Sequence, residues 1–209
     1  MTKQISAIER LQSLPRVFRG SDLTVRFQWT SKRASHYLFL WKGRGLVDGL
    51  GGHSDVFANL LIDRHPDWDT ALKMAMPSAV VIGIEALRQA GWTTQIPRVP
   101  TIAVDGTQPV YSTPHFEVSR RDPVWFAAMR AVLKSTADAL PCLPPAWALA
   151  DMLHQGGWEG SGLGPDDIDW SEVTERDEKH WKLACAALGL EMGDLSSLVD
   201  AHTAASMRA

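Results

Sequence analysis

Residues 31–61 read SKRASHYLFLWKGRGLVDGLGGHSDVFANLL. Their first part predicts a helix from Lys32 to Lys42, because apolar side chains recur at helical spacing and glycines follow its end. Their second part predicts a β-hairpin, since two short apolar runs, 46–47 and 56–61, flank a glycine-rich tip. A helix followed closely by a hairpin therefore organises the beginning of this chain.

The predicted helix has an apolar face and a polar face. The polar face carries Lys32, Ser35 and His36, as the helical repeat of about 100° per residue places them together. A polar and basic helix face of this kind suits the major groove of DNA. Phe39 also points outward, suits a DNA contact poorly, and is expected to pack on a second domain.

Two further helices are predicted before this one. The first covers 6–14 and ends at Pro15, because proline cannot continue a helix. The second begins with Ser21 as its N-cap and continues to about Phe27. Three helices and a hairpin within about sixty residues form the pattern of a winged helix-turn-helix, which we assign to residues 1–62.

Charge is distributed unevenly along the chain. Residues 1–46 hold nine Lys or Arg and two carboxylates, a balance of +7, while the remainder holds twelve basic and 22 acidic residues, a balance of −10. Such asymmetry indicates a basic module that meets a polyanion. The alternative is two domains of opposite charge that attract each other.

Eight side chains are the candidate contacts to double-stranded DNA. For the groove we predict Lys32, Arg33, Ser35 and His36. For the phosphate backbone we predict Arg16, Arg19, Arg44 and His53, the last at the hairpin tip. In the alternative interpretation the same module contacts a protein and its basic side chains are only solvated.

After the polar linker 63–67, the composition predicts a second domain over residues 66–209 with mixed helices and strands. Helices are predicted over 68–76, 79–90, 125–133, 144–154, 175–188 and 195–205, and strands over 101–104 and 116–118. The predicted fold class of the whole chain is therefore α+β.

The sequence offers little support for catalysis. It contains no phosphate-binding glycine loop, no nucleophile elbow and no histidine or cysteine spacing typical of a metal site, so we predict no enzyme activity, cofactor or metal. One alternative is a metal-dependent nuclease, since Asp166 followed by 177–179 (DEK) resembles a nuclease pattern. The acidic run 166–178 is more typical of a solvated face or of a docking surface for a basic partner.

The sequence also bears on the compartment. Two cysteines lie 43 positions apart, no apolar run approaches the length of a membrane span, and the first residues lack the apolar stretch of a signal peptide. We therefore expect a cytoplasmic protein with no membrane association.

Several segments resemble the AbiEi-type antitoxins of type IV toxin–antitoxin (abortive infection) systems. In the first domain they are 14–18 (LPRVF), 37–38 (YL), 41–46 (WKGRGL) and the hairpin ending in 56–57 (VF). In the second domain they are 77–79 (PSA), with the helix that leads to Trp92, and 144–151 (PPAWALAD). The resemblance covers about residues 5–155.

This resemblance implies a transcriptional autorepressor that is also an antitoxin. The first domain would bind repeats in its own operator, and the second would counter a nucleotidyltransferase-like toxin from the same operon without needing a stable complex with it. The alternative is a stand-alone winged-helix transcription factor that responds to a ligand or to a protein partner.

Overall fold

The structure is a computed structural model that describes residues 6–133 and 139–206. It confirms an α+β fold with small sheets. The chain forms two compact units, Met1–Ser78 with Pro109–His115, and Ala79–Gln108 with Phe116–Ala209. The sequence predicts the division between residues 62 and 66, whereas in the structure helix Trp68–Ala75 and segment 109–115 group with the first unit.

The first unit combines helices with one three-stranded sheet. Its elements are α1 (Ala7–Gln12), β1 (Val17–Arg19), α2 (Gly20–Phe27), α3 (Ser31–Gly43), β2 (Val47–Gly49), β3 (Val56–Asn59) and α4 (Trp68–Ala75). The sheet is antiparallel in the order β1-β3-β2, so β3 lies in the centre. The predicted helix over 32–42 and the predicted hairpin are confirmed. The sequence does not predict β1, because three residues show no alternation and owe their strand geometry to pairing with β3.

Side-chain caps define the starts of α2 and α3, and the cap of α2 differs from the predicted one. The N-cap of α2 is Arg19 and not Ser21, and the Arg19 backbone N–H donates to Asp22 Oδ2 at 2.8 Å. The N-cap of α3 is Thr30, whose hydroxyl accepts from the Arg33 backbone N–H at 3.3 Å. In both cases a side-chain oxygen satisfies a backbone N–H at the start of the helix.

Asn59 is the buried polar anchor of the first unit. It is the one asparagine in the sequence and is 1% exposed. Its Nδ2 donates to the Leu11 carbonyl at 2.8 Å, and its Oδ1 accepts from the Leu61 backbone N–H at 3.3 Å. Carbonyl groups at the end of α1 have no partner inside the helix, so Asn59 joins α1 to the central strand.

We expect Asn59→Ala to lower the free energy of unfolding of the first unit by about 1–3 kcal/mol, because it removes the buried hydrogen bonds that join the central strand to the end of α1. Urea unfolding measures the change. Gln12→Ala removes an exposed side chain at the end of α1 and is the matched control, with no change expected. Equal stability of the two variants would contradict the anchoring role of Asn59.

The second unit contains the other sheet and most of the longer helices. Its elements are β4 (Val80–Ile82), α5 (Gly83–Gln89), β5 (Thr101–Asp105), β6 (Glu117–Arg121), α6 (Pro123–Arg130), α7 (Pro145–Ser161), α8 (Glu175–Leu188) and α9 (Leu195–Ser206). The sheet order is β4-β5-β6, with β4–β5 antiparallel and β5–β6 parallel. The second of these pairs uses 106–116 as its connection.

Two predicted helices of this unit differ most from the structure in their bounds. The prediction of a helix over 79–90 is wrong for its first part, because Val80–Ile82 pairs with β5 and Gly83, at φ +67°, makes the turn into α5. α7 continues beyond the predicted 154 to Ser161, with a break at Gly157 (φ +62°). The apolar run Val80–Ile82 is too short for its sequence pattern to distinguish a strand from a buried helix, and its pairing with β5 decides the conformation.

A buried ion pair links β6, α6 and α7 in the second unit. Arg121 Nη2 donates to Asp151 Oδ2 at 2.9 Å, and the Trp125 indole N–H donates to Asp151 Oδ1 at 2.9 Å. Asp151 is 1% exposed, so its charge is compensated by these partners rather than by water.

In the part of the chain that the structure describes, no helix is both long and apolar enough to cross a bilayer.

Candidate nucleic-acid interface

The orientation of α3 is set by Trp29, which lies in the turn that precedes the helix. The Trp29 ring stacks on Tyr37 with centroids 4.6 Å apart and contacts Trp41 at 6.0 Å. Phe27, at the end of α2, completes the group at 5.5 Å from Trp29. Gln28, at φ +53°, turns the chain so that these rings meet in the core of the first unit. The apolar face of α3 therefore faces inward.

The opposite face of α3 is solvent-exposed. Lys32, Ser35 and His36 are all exposed, as the sequence predicts for groove contacts. Phe39 lies on the same face and is 77% exposed, so the first unit does not cover this ring. We call these four residues the outer face of α3.

Arg33 lies at the flank of this face and contacts aromatic rings. Its guanidinium lies 5.0 Å from the Trp29 centroid and 5.8 Å from that of Tyr37. Arg10 approaches the same Trp29 ring at 5.5 Å. Cation–π contacts of this length hold a guanidinium in one place. Arg33 therefore packs on the aromatic core as well as being exposed.

The stretch of sequence around α3 contains no acidic side chain. Residues 23–47 contain five Lys or Arg and no Asp or Glu. This stretch covers most of α2, all of α3 and the start of β2. Its positive charge is therefore not compensated by carboxylates of the same stretch, which favours attraction of a polyanion. The absence of carboxylates over 23–47 can be read from the sequence, but the net charge of residues 1–46 does not reveal it, because that longer range includes two carboxylates.

The predicted phosphate contacts are placed unequally. Arg16 forms an ion pair with Asp63 (Nη1 to Oδ2, 3.4 Å), and the Arg19 guanidinium donates to the Met74 carbonyl in α4. Arg44 is exposed at the C-cap of α3, directly after the helix that carries the outer face. The arginines at 16 and 19 thus have partners inside the first unit, in addition to being exposed.

Asp55 in the hairpin caps the N-terminus of α2. The Gly20 backbone N–H donates to the Asp55 carbonyl at 2.8 Å, and the Ser21 N–H donates to its carboxylate at 3.1 Å. A Cβ on Gly20 would lie 2.3 Å from Asp55 Oδ1, so a side chain at this position would displace the carboxylate. The carboxylate occupies a helix end that otherwise attracts anions. No local sequence pattern indicates this long-range cap.

The hairpin tip lies against segment 109–115. A Cβ on Gly52, which has φ +57°, would lie 2.3 Å from the Ser112 carbonyl oxygen and 2.5 Å from its nitrogen. Gly51 approaches the same segment near Thr113. His53 follows at φ +64° and is exposed. His53, a predicted contact to the DNA backbone, therefore lies on a hairpin tip that packs against a segment distant in sequence.

We expect Gly52→Ala to destabilise the first unit by about 1–3 kcal/mol, because it adds strain at a positive φ to a clash with the Ser112 backbone. Gly43→Ala is the control, since a Cβ there meets nothing within 4 Å. Urea unfolding followed by limited proteolysis measures the difference and locates it. If both variants unfold and are cleaved like the natural protein, the tip does not depend on segment 109–115.

Segment 109–115 is held at its end by an aromatic stack. The His115 ring lies on Trp68 with centroids 3.7 Å apart and planes 17° apart. Burial lowers the pKa of His115 below its ordinary value, and the negative charge of Asp48 opposes this shift. His115 Nε2 is buried and makes no hydrogen bond within the described residues. The neutral ring is therefore the form that the folded protein favours.

The pKa of His115 predicts a decrease of stability in acid. Because the folded pKa is lower than the unfolded one, the unfolded chain binds the proton more readily, and stability falls as the pH drops below about 6.5. His115→Gln cannot take up this proton, so we expect a smaller decrease for the variant. Urea unfolding between about pH 5 and 8 tests this, and equal slopes would contradict it.

The second unit carries a groove and a smaller pocket. The groove has a volume of about 570 Å³ and is lined by residues that include Arg98, Arg121, Asp151, Gln155 and Ser161. The pocket, of about 220 Å³, contains Cys142. Burial, with a contribution from the charge of Glu85, raises the pKa of the Cys142 thiol to about 11, so the thiol stays protonated at neutral pH.

The acids of the nuclease-like pattern lie near helical starts. Asp177, in the first turn of α8, accepts from the Thr174 backbone N–H at 3.1 Å and from its hydroxyl at 2.6 Å. Asp166 lies in a short 3₁₀ turn, Pro165–Asp167. The predicted helix over 175–188 is confirmed. Neither acid lies on a strand, and the described residues contain no group of three or more His, Cys, Asp or Glu able to hold a metal ion.

Comparison with known proteins shows similarity to a solved structure. No family model and no curated protein matches the sequence. The crystal structure of the RV2827C protein from Mycobacterium tuberculosis is similar, with a TM-score of 0.51 and 16% sequence identity, over 86% of this chain and 73% of that chain. At this identity the similarity shows a shared fold alone.

Proposed function

We propose that the first unit is a winged helix-turn-helix that binds double-stranded DNA, with α3 in the major groove and the β2–β3 hairpin as the wing. The element order α1-β1-α2-α3-β2-β3, with an antiparallel sheet, supports this assignment. The observation that carries it is the outer face of α3, which presents Lys32, Ser35 and His36 to solvent within a stretch that lacks carboxylates.

The proposed binding of DNA uses two kinds of contact. The polar side chains of the outer face read base edges, and the cations around them neutralise phosphates. Arg44 follows α3 and His53 lies on the wing, so both are placed in exposed positions for the backbone. Arg16 and Arg19 would exchange their present partners for phosphate, which makes their contribution smaller.

The biological role follows from the resemblance to AbiEi-type antitoxins. Occupation of operator repeats that overlap the promoter blocks transcription of the operon, so the protein represses its own gene. The second unit then supplies the antitoxin activity against a nucleotidyltransferase-like toxin, without a stable complex between the two proteins. A cytoplasmic location and the absence of enzyme activity belong to the same proposal.

We expect specific binding to a labelled fragment of the upstream DNA, and we expect that binding to weaken between about 50 and 200 mM salt. Lys32→Ala with His36→Ala should weaken it by about 1–3 kcal/mol for each side chain that touches a base. Lys179→Ala removes an exposed lysine of the second unit and is the matched control. Fluorescence anisotropy against a scrambled duplex measures both effects.

The slope of affinity against salt separates the two kinds of contact. If Lys32 binds a phosphate, its removal lowers the slope by about one and weakens all duplexes equally. If Lys32 binds a base edge, its removal weakens the specific duplex alone. Circular dichroism verifies that the variants remain folded. Unchanged affinity of the folded double variant would overturn the assignment of α3 to the groove.

A transcription factor that responds to a ligand or a protein partner, without a toxin, is the second candidate. The groove beside the Arg121–Asp151 pair favours it, because its volume and its mainly apolar lining with a few polar side chains suit a small molecule. Expression of the adjacent gene alone and together with this protein distinguishes the two. Growth arrest that this protein relieves supports the antitoxin, and a harmless neighbour supports the second candidate.

A further inference from the structure

Phe39 occupies the middle of the outer face of α3. At about 100° per residue, it lies within about 20° of Lys32, 40° of Ser35 and 60° of His36 around the helix axis. The buried residues Ala34 and Trp41 lie on the other side. The ring is therefore surrounded by the very side chains assigned to the groove.

The exposure of Phe39 has no explanation in the packing of the first unit. The aromatic core around Trp29 is formed by Tyr37, Trp41 and Phe27, and Phe39 is 77% exposed outside it. An exposed phenyl ring leaves a large apolar area in water, which association removes at a gain in free energy. Because the ring lies on a basic face, its partner is expected to be negatively charged.

Charge favours DNA over a second copy of this chain. Two copies meeting through the outer face would bring Lys32 and His36 next to their own counterparts, with no carboxylate between residues 23 and 47 to compensate them. DNA offers negative charge beside its major groove. Among the base edges exposed there, thymine alone carries an apolar group, its C5-methyl, and phenylalanine is one of the side chains that contact it.

We propose that Phe39 packs against the methyl group of a thymine in the major groove and so makes thymine a requirement at that operator position. The inference rests on the proposed binding of DNA by α3. Seven residues along a helix span about 10.5 Å, which corresponds to about three base-pair steps of DNA. The selected thymine therefore lies about three base pairs from the contact made by Lys32.

The experiment replaces thymine by deoxyuridine, which removes the methyl group and keeps every hydrogen-bonding atom. Footprinting on the upstream DNA defines the bound region, and duplexes then carry one deoxyuridine at a time within it. Affinities are measured for the natural protein, for Phe39→Ala and for Phe39→Leu. Ile96→Ala, at an 81% exposed apolar residue of the second unit, is the matched control.

We expect one or two deoxyuridine positions to weaken the natural protein about fourfold, the effect of one methyl group. Phe39→Ala binds the thymine duplex more weakly by at least this factor and does not distinguish thymine from deoxyuridine. Phe39→Leu retains part of the discrimination, because leucine still offers an apolar surface. Ile96→Ala behaves like the natural protein on every duplex.

Three results would overturn the inference while leaving DNA binding intact. In the first, the natural protein binds every deoxyuridine duplex as tightly as the thymine duplex. In the second, Phe39→Ala still distinguishes thymine from deoxyuridine as well as the natural protein does. In the third, Phe39→Ala changes only the oligomeric state, measured by sedimentation. The last would assign the ring to an interface between copies. Failure of the natural protein to bind upstream DNA at all would instead overturn the proposed function, together with the inference that rests on it.

Discussion

The burial of Trp29 between α2 and α3 is the constraint on which the arrangement of the first unit depends. Its ring meets Tyr37 and Trp41 from α3, and two arginines cover it from outside. Aromatic side chains this large supply much of the apolar area that a small unit can bury. Once Trp29 is in place, the rotation of α3 is fixed, and Lys32 and Phe39 face outward as a consequence.

Backbone contacts between distant segments hold the rest of the first unit. Asp55 in the hairpin caps α2 beside Gly20, and Gly52 at the hairpin tip lies against Ser112. A Cβ would meet an oxygen at 2.3 Å in each case, the Asp55 carboxylate at Gly20 and the Ser112 backbone carbonyl at Gly52. A proposed wing is thereby tied to the helix pair on one side and to segment 109–115 on the other. Asn59 adds the link to α1.

Helical periodicity and turn residues predict much of the fold. The helix 31–43, the hairpin and the helix at 175–188 follow from apolar spacing, caps and glycines, because these are local properties of the chain. Short strands are missed or misassigned. The sequence pattern gives no sign of β1 and predicts a helix at β4, since a three-residue strand owes its conformation to the strand beside it.

In the candidate site, too, some properties follow from the local sequence and others depend on contacts between distant residues. The amino-acid sequence by itself determines the charge of α3, the absence of carboxylates over 23–47 and the polar face with Lys32 and His36, since composition and helical repeat are sufficient for these. Only the tertiary structure decides that Arg33 packs on Trp29, that Asp55 caps α2 and that Phe39 remains exposed. These depend on which surfaces the folded chain covers, and such contacts join residues with no local relation in sequence.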